Sequence, residues 1–108
     1  MAMEPRVSYD TVADAITAST PATSGKMFGM PSMFINRKAF AGLVNSGAMV
    51  FKLGGDAHAK ALAIPGAHLF EPMPGRPMKE WVEVPVDQAS QWERLVRAAL
   101  EYVNQSAK

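Results

Sequence analysis

Cysteine is absent from the 108 residues, which excludes disulfides, thiolate nucleophiles, iron–sulfur ligation and cysteine-type zinc sites together. A dominant charge is lacking too. Eleven Lys and Arg against ten Asp and Glu leave a formal net charge of +1, too weak a field to steer nucleic acid, a membrane surface or an acidic partner. No long apolar run occurs: stretches such as Ala48 to Phe51 fall far short of the about 20 residues that cross a bilayer. The opening Met1-Ala2-Met3-Glu4-Pro5-Arg6 lacks the basic start and apolar run of an export signal. A cytoplasmic protein without a membrane partner is therefore expected. With 48% hydrophobic residues, eight Gly and eight Pro, the composition is that of one globular domain over residues 1–108, able to bury roughly two-thirds of its unfolded surface in a single core.

Ser8 is placed to cap a first helix, in which Tyr9, Val12, Ala13 and Ile16 recur at helical spacing. The turn formers Ser19-Thr20-Pro21-Ala22-Thr23-Ser24-Gly25 then predict a loop. From Lys26 to Leu53 the pattern changes to short β-favouring runs: Met27-Phe28, Met33 to Ile35, Ala39 to Val44 and Met49 to Leu53. Asn36-Arg37-Lys38 and Asn45-Ser46-Gly47 separate them as turns, and Met30-Pro31 predicts a bulge or an edge. Asp56 is expected to cap a short helix over Ala57 to Ala63, stopped by Pro65-Gly66. Two strands follow, His68 to Phe70 and Lys79 to Val84, the second placing Lys79, Trp81 and Glu83 on one face and Glu80, Val82 and Val84 on the other. A final helix carries the apolar stripe Trp92, Leu95, Val96, Ala99, Leu100 and Val103. Clustered strands with short connections predict an α+β, two-layer domain: an antiparallel sheet of about five strands with helices on one side, in the order α-β-β-β-α-β-β-α.

The residues offer little catalytic chemistry. His58 and His68 lie in different expected elements without metal-ligand spacing, so no metal or other cofactor is expected. Ser24, Ser32 and Ser46 sit beside turn residues and outside any Gly-x-Ser-x-Gly elbow. Glu80 and Glu83 fall on opposite strand faces, and Asp10 with Asp14 suits the start of a helix. Ser24-Gly25-Lys26 and Gly54-Gly55-Asp56 are incomplete as phosphate loops. No catalytic residue is assigned, and a non-enzymatic role is expected.

Two surfaces remain as candidates. Between Lys26 and Lys60 the cations Lys26, Arg37, Lys38, Lys52 and Lys60 face only Asp56 and are interleaved with Phe28, Phe34, Phe40 and Phe51. Such a segment is either a basic aromatic surface for nucleic acid, contacted through Lys26, Arg37, Lys38 and Lys52, or ordinary core aromatics with solvated turn lysines. Trp81, with Arg76 and Lys79 nearby, is either the anchor of a protein interface or a side chain that a neighbouring element covers. The six methionines from Met27 to Met78 suit an adaptable surface, but filling gaps in the core is the more ordinary use of methionine.

The strings Lys26-Met27-Phe28-Gly29, Ala39-Phe40-Ala41 with Val50-Phe51-Lys52-Leu53, and Phe70-Glu71-Pro72 leading to Gly75-Arg76-Pro77-Met78-Lys79-Glu80-Trp81-Val82 resemble the N-terminal domain of the TfoX/Sxy competence-regulator family. The resemblance spans about Ser8 to Val103 and is most specific at Gly75 to Val82 combined with Met27-Phe28-Gly29. It departs from that family at Met30-Pro31-Ser32, where relatives tend to carry a glycine-rich turn. It implies a two-layer, secretion-chaperone-like fold and supplies no catalytic residues. The expectation is a regulatory or protein-interaction module, with a protein partner or a homodimer through a sheet face containing Trp81. A DNA-binding accessory module is the alternative.

Overall fold

The computed structural model describes residues 4–27, 29–73 and 75–106, without the side chains of Met27, Pro72, Met73 and Ser106. Phe28, part of the expected basic aromatic surface and of the family-like string, lies outside the described residues. Helix α1 (Pro5–Ser19) precedes strands β1 (Thr23–Met27), β2 (Met30–Ile35), β3 (Lys38–Leu43) and β4 (Met49–Lys52). Helix α2 (Gly55–Leu62), strands β5 (His68–Met73) and β6 (Arg76–Val84), a 3₁₀ segment (Val86–Gln91) and helix α3 (Trp92–Ser106) complete the chain. The expected α+β class holds. The strands number six and form one antiparallel sheet in the order β1-β2-β3-β4-β6-β5.

Helix α1 begins at Pro5 rather than after Ser8, because proline's fixed φ suits the first helical turn and its missing N–H has no partner to lose there. Its predicted stripe of Tyr9, Val12, Ala13 and Ile16 is buried. That stripe packs with Trp92, Leu95, Val96, Ala99 and Val103 of α3 and with Met33, Ile35, Phe40, Leu43, Met49, Phe51, Val82 and Val84 of the sheet in one core. Helix α2 starts at Gly55, with Gly54 rather than Asp56 as its capping residue.

The largest departure is β1. Thr23-Ser24-Gly25, which propensity assigns to a loop, pairs with Phe34, Met33 and Ser32, since tertiary pairing outweighs a strand propensity scale of only about 1 kcal/mol. Pro31 causes no bulge against β1, where it stands opposite Lys26 in a regular ladder. The irregularity lies two residues on. Ala41 pairs with Met33 and Ala39 with Phe34, leaving Phe40 as the extra residue of a bulge. The bulge turns consecutive residues Phe40 and Ala41 both into the core.

Asn36 and Arg37 join β2 to β3 with φ of 51° and 67°, both left-handed, as a two-residue hairpin turn requires. Arginine is strained there, so Arg37→Gly is expected to stabilise the fold by up to about 1 kcal/mol, read as a higher urea midpoint at unchanged slope.

Two buried polar atoms lack a partner among the described residues: the Tyr9 hydroxyl and the Trp92 indole nitrogen. Burial pushes the Tyr9 phenol far above its ordinary value near 10. The Tyr102 phenol is also raised, chiefly because its hydroxyl donates to Glu80 Oε2 at 2.5 Å. Both folded-state values exceed the unfolded one, so this stability is fully present below about pH 10 and is lost as pH rises from there toward the folded-state values. A pH series of denaturation curves should show that decline, and Tyr9→Phe should remove its larger part. The same substitution should raise neutral-pH stability by about 1 kcal/mol, because it deletes an unsatisfied buried hydroxyl.

Candidate interaction surface

The helices occupy one face of the sheet, and the strand alternation sends a second set of side chains to the other. There Trp81, Val44, Ala48 and Val50 form a separate apolar cluster, with Met30, Ala39 and Phe70 packed against it. Met30 belongs to β2 and Phe70 to β5, with β3, β4 and β6 between them. Each packs on the cluster from its own side, and the two line one cleft, so the side chains of this face bound a hollow and the face is concave there. Where β2 pairs with β3 at Ser32 and Gly42 the face carries small residues. Ser32 is buried, and a Cβ added to Gly42 would stand 3.0 Å from Ser32 Oγ.

Burial settles the two readings of Trp81. Only 8% of it is exposed, so it is a packed centre of the concave face and no protruding anchor. Arg76 and Lys79, grouped with it on sequence grounds, are exposed. The division runs along β6: Arg76-Pro77-Met78-Lys79-Glu80 are all exposed, whereas Trp81, Val82 and Val84 are buried. The outer part of the β5–β6 hairpin is thus an arm whose Met78 is 42% exposed. Its tip is tied by the Gly75 N–H, which donates to Glu71 Oε2 at 2.7 Å. Its base is tied to α2, where His58 Nε2 donates to the Lys79 carbonyl at 2.7 Å. By sequence, Met78 is only one of six methionines suited to surface or core and the strand begins at Lys79, whereas β6 begins at Arg76, with Pro77 at a position that an exposed strand tolerates.

Beside the arm, on the concave face, lies a cleft of about 400 Å³ lined by Met30, Val44, Asn45, Ser46, Phe70, Glu71 and Glu83. Ser46 Oγ donates to Glu83 Oε2 at 3.1 Å, and His68 Nε2 stands 3.7 Å from the same oxygen. The carboxylate lies between hydroxyl and imidazole. In a nucleophilic triad the imidazole is in the middle and takes the hydroxyl proton, so this arrangement does not activate Ser46. His68 Nδ1 donates to the Leu69 carbonyl, which leaves His58 and His68 on separate partners. Among the described residues no three His, Asp or Glu side chains converge as metal ligands.

The four candidate nucleic-acid residues do not converge. Gly25 lies beneath the Phe34 ring, and Lys26 follows it, turned to the opposite, helix-bearing side. Lys38 pairs with buried Ile35 and shares that helix side, while standing at the other end of the strands. Lys52 pairs with Trp81 on the concave side, and Arg37 occupies the hairpin turn. They are spread over both faces and both ends of the sheet. No helix among the described residues is long and apolar enough to cross a membrane. No family model, curated protein or solved structure matches the chain.

Proposed function

We propose that the chain is a non-enzymatic protein-interaction module with a regulatory role, akin to the TfoX/Sxy N-terminal domain, and that its partner docks on the β5–β6 arm. The observation that carries this reading is the run of five exposed residues Arg76–Glu80 on a strand whose other half is locked in the fold. A strand presenting arginine and methionine to solvent carries two residue types that are enriched at protein interfaces. The string from Gly75 to Val82, the most specific part of the family resemblance, is the strand of this arm. The scattered placement of Lys26, Arg37, Lys38 and Lys52 gives the DNA-binding alternative no common surface.

A photo-crosslinking amino acid at position 78 tests the reading in the host cytosol. A discrete protein adduct is expected, and Arg76→Ala should weaken binding of the identified partner about tenfold or more. No adduct, together with duplex DNA binding that falls steeply with salt, would replace this reading by the DNA-binding one.

A further inference from the structure

The sheet has two edges, and they differ. Edge strand β5 contains Pro72 and pairs with β6 through two register irregularities, both of which blunt an edge against further pairing. Edge strand β1 has no proline and runs against β2 through five consecutive pairs without a shift. Its register shows which groups face outward. Lys26 stands opposite Pro31, which has no N–H to give, so this is a non-hydrogen-bonded pair of the antiparallel ladder. Alternate residues then behave alike: Thr23, Gly25 and Met27 bond to β2, while Ser24 and Lys26 turn N–H and C=O away from it. Among the described residues no backbone or side-chain group bonds to that outer edge.

We propose that β1 receives a second copy of this chain by antiparallel strand addition across a two-fold axis at Gly25, joining two six-stranded sheets into one. This deepens the interaction reading by naming a partner at the edge away from the arm. Three features favour a second copy over an unrelated peptide. The two-fold sets Ser24 of each copy opposite Lys26 of the other, so the outward groups meet as two hydrogen-bonded pairs and no lysine directly faces a lysine. It sets Gly25 against Gly25 at the close, non-hydrogen-bonded position. Each Gly25 is already roofed by its own Phe34, whose Cε1 is 3.0 Å from where a Cβ would stand. The two rings flank the axis, and a bulkier residue opposite Gly25 would meet them. Finally, a net charge of +1 per chain opposes pairing only weakly.

Light scattering on the full chain, together with sedimentation equilibrium, tests the proposal. The wild type is expected at twice the chain mass of 11.7 kDa at about 100 µM, and Lys26→Pro at the single mass. That proline removes an outward N–H and no bond of the fold, as edge strands tolerate, so circular dichroism should be unchanged. Ser24→Lys places lysine opposite lysine; its dimer should be lost at low salt and recovered at high salt. It serves as the readout if Lys26→Pro fails to fold. A wild type that stays monomeric at about 100 µM overturns the proposal, as does a folded Lys26→Pro that stays dimeric. Arg76→Ala should leave the dimer intact. If it alone abolishes the dimer, association runs through the arm, and the edge proposal fails while the interaction reading stands. Failure of the position 78 crosslink with an intact edge dimer gives the opposite result.

Discussion

Trp81→Ala is expected to lower the unfolding free energy by about 3–5 kcal/mol, the range for truncating a buried aromatic. In a domain of this length that is a fall in Tm of roughly 10–20 °C. The reason is its place in the concave face: Val44, Ala48 and Val50 surround it, and Met30 and Phe70 close over from strands on either side. Removing the indole leaves these groups around a cavity that a hydrogen-bonded sheet can only partly collapse. Urea denaturation followed by circular dichroism measures the loss, and Trp81→Phe should recover much of it. The opposite outcome, a variant within about 0.5 kcal/mol of wild type, is what a surface position gives and would mean that the concave face is open.

Phe40→Ala should cost a similar 3–5 kcal/mol, for a different structural reason. Phe40 is the unpaired residue of the β2–β3 bulge and is fully buried beneath the helices. Because the bulge also directs Ala41 inward, the ring fills space that a regular strand would leave to alternate residues. Phe40→Leu should retain most of the stability, since volume-conserving apolar exchanges usually cost less than about 1.5 kcal/mol. Equilibrium unfolding of the two variants separates lost volume from lost bulge geometry. If Phe40→Leu is as damaging as Phe40→Ala, the aromatic shape at the bulge matters beyond its bulk.

The same two residues show where reading by pattern stops. Trp81 was expected to share a face with Lys79 and Glu83, and it does; whether that face was open was undetermined, because the answer lies in which sequence-distant side chains pack over it. Phe40 belonged to a strand-like run whose alternation gives no hint that two successive side chains point inward. The arm was half visible, in the candidates Arg76 and Lys79, but the prolines around Arg76 pointed to a loop there, and its division from Trp81 depends on where β6 leaves the body of the sheet. The first half of strand β1 was missed because Ser24 and Gly25 beside Pro21 are turn formers that outweigh the strand preference of Thr23, and only the Phe34-Met33-Ser32 segment facing them makes them a strand.

The helix stripes of Tyr9 to Ile16 and Trp92 to Val103, the α+β class and the inner and outer sets of β6 were determined by the sequence alone, because helical and strand periods are local and repeat within a few residues. The sheet order, the bulge, the covering of Trp81 and the contrast between a guarded and an open edge were decided by the tertiary structure. Each depends on which distant segment lies alongside and in what register, and a shift of one residue sends every side chain of a strand to the other face.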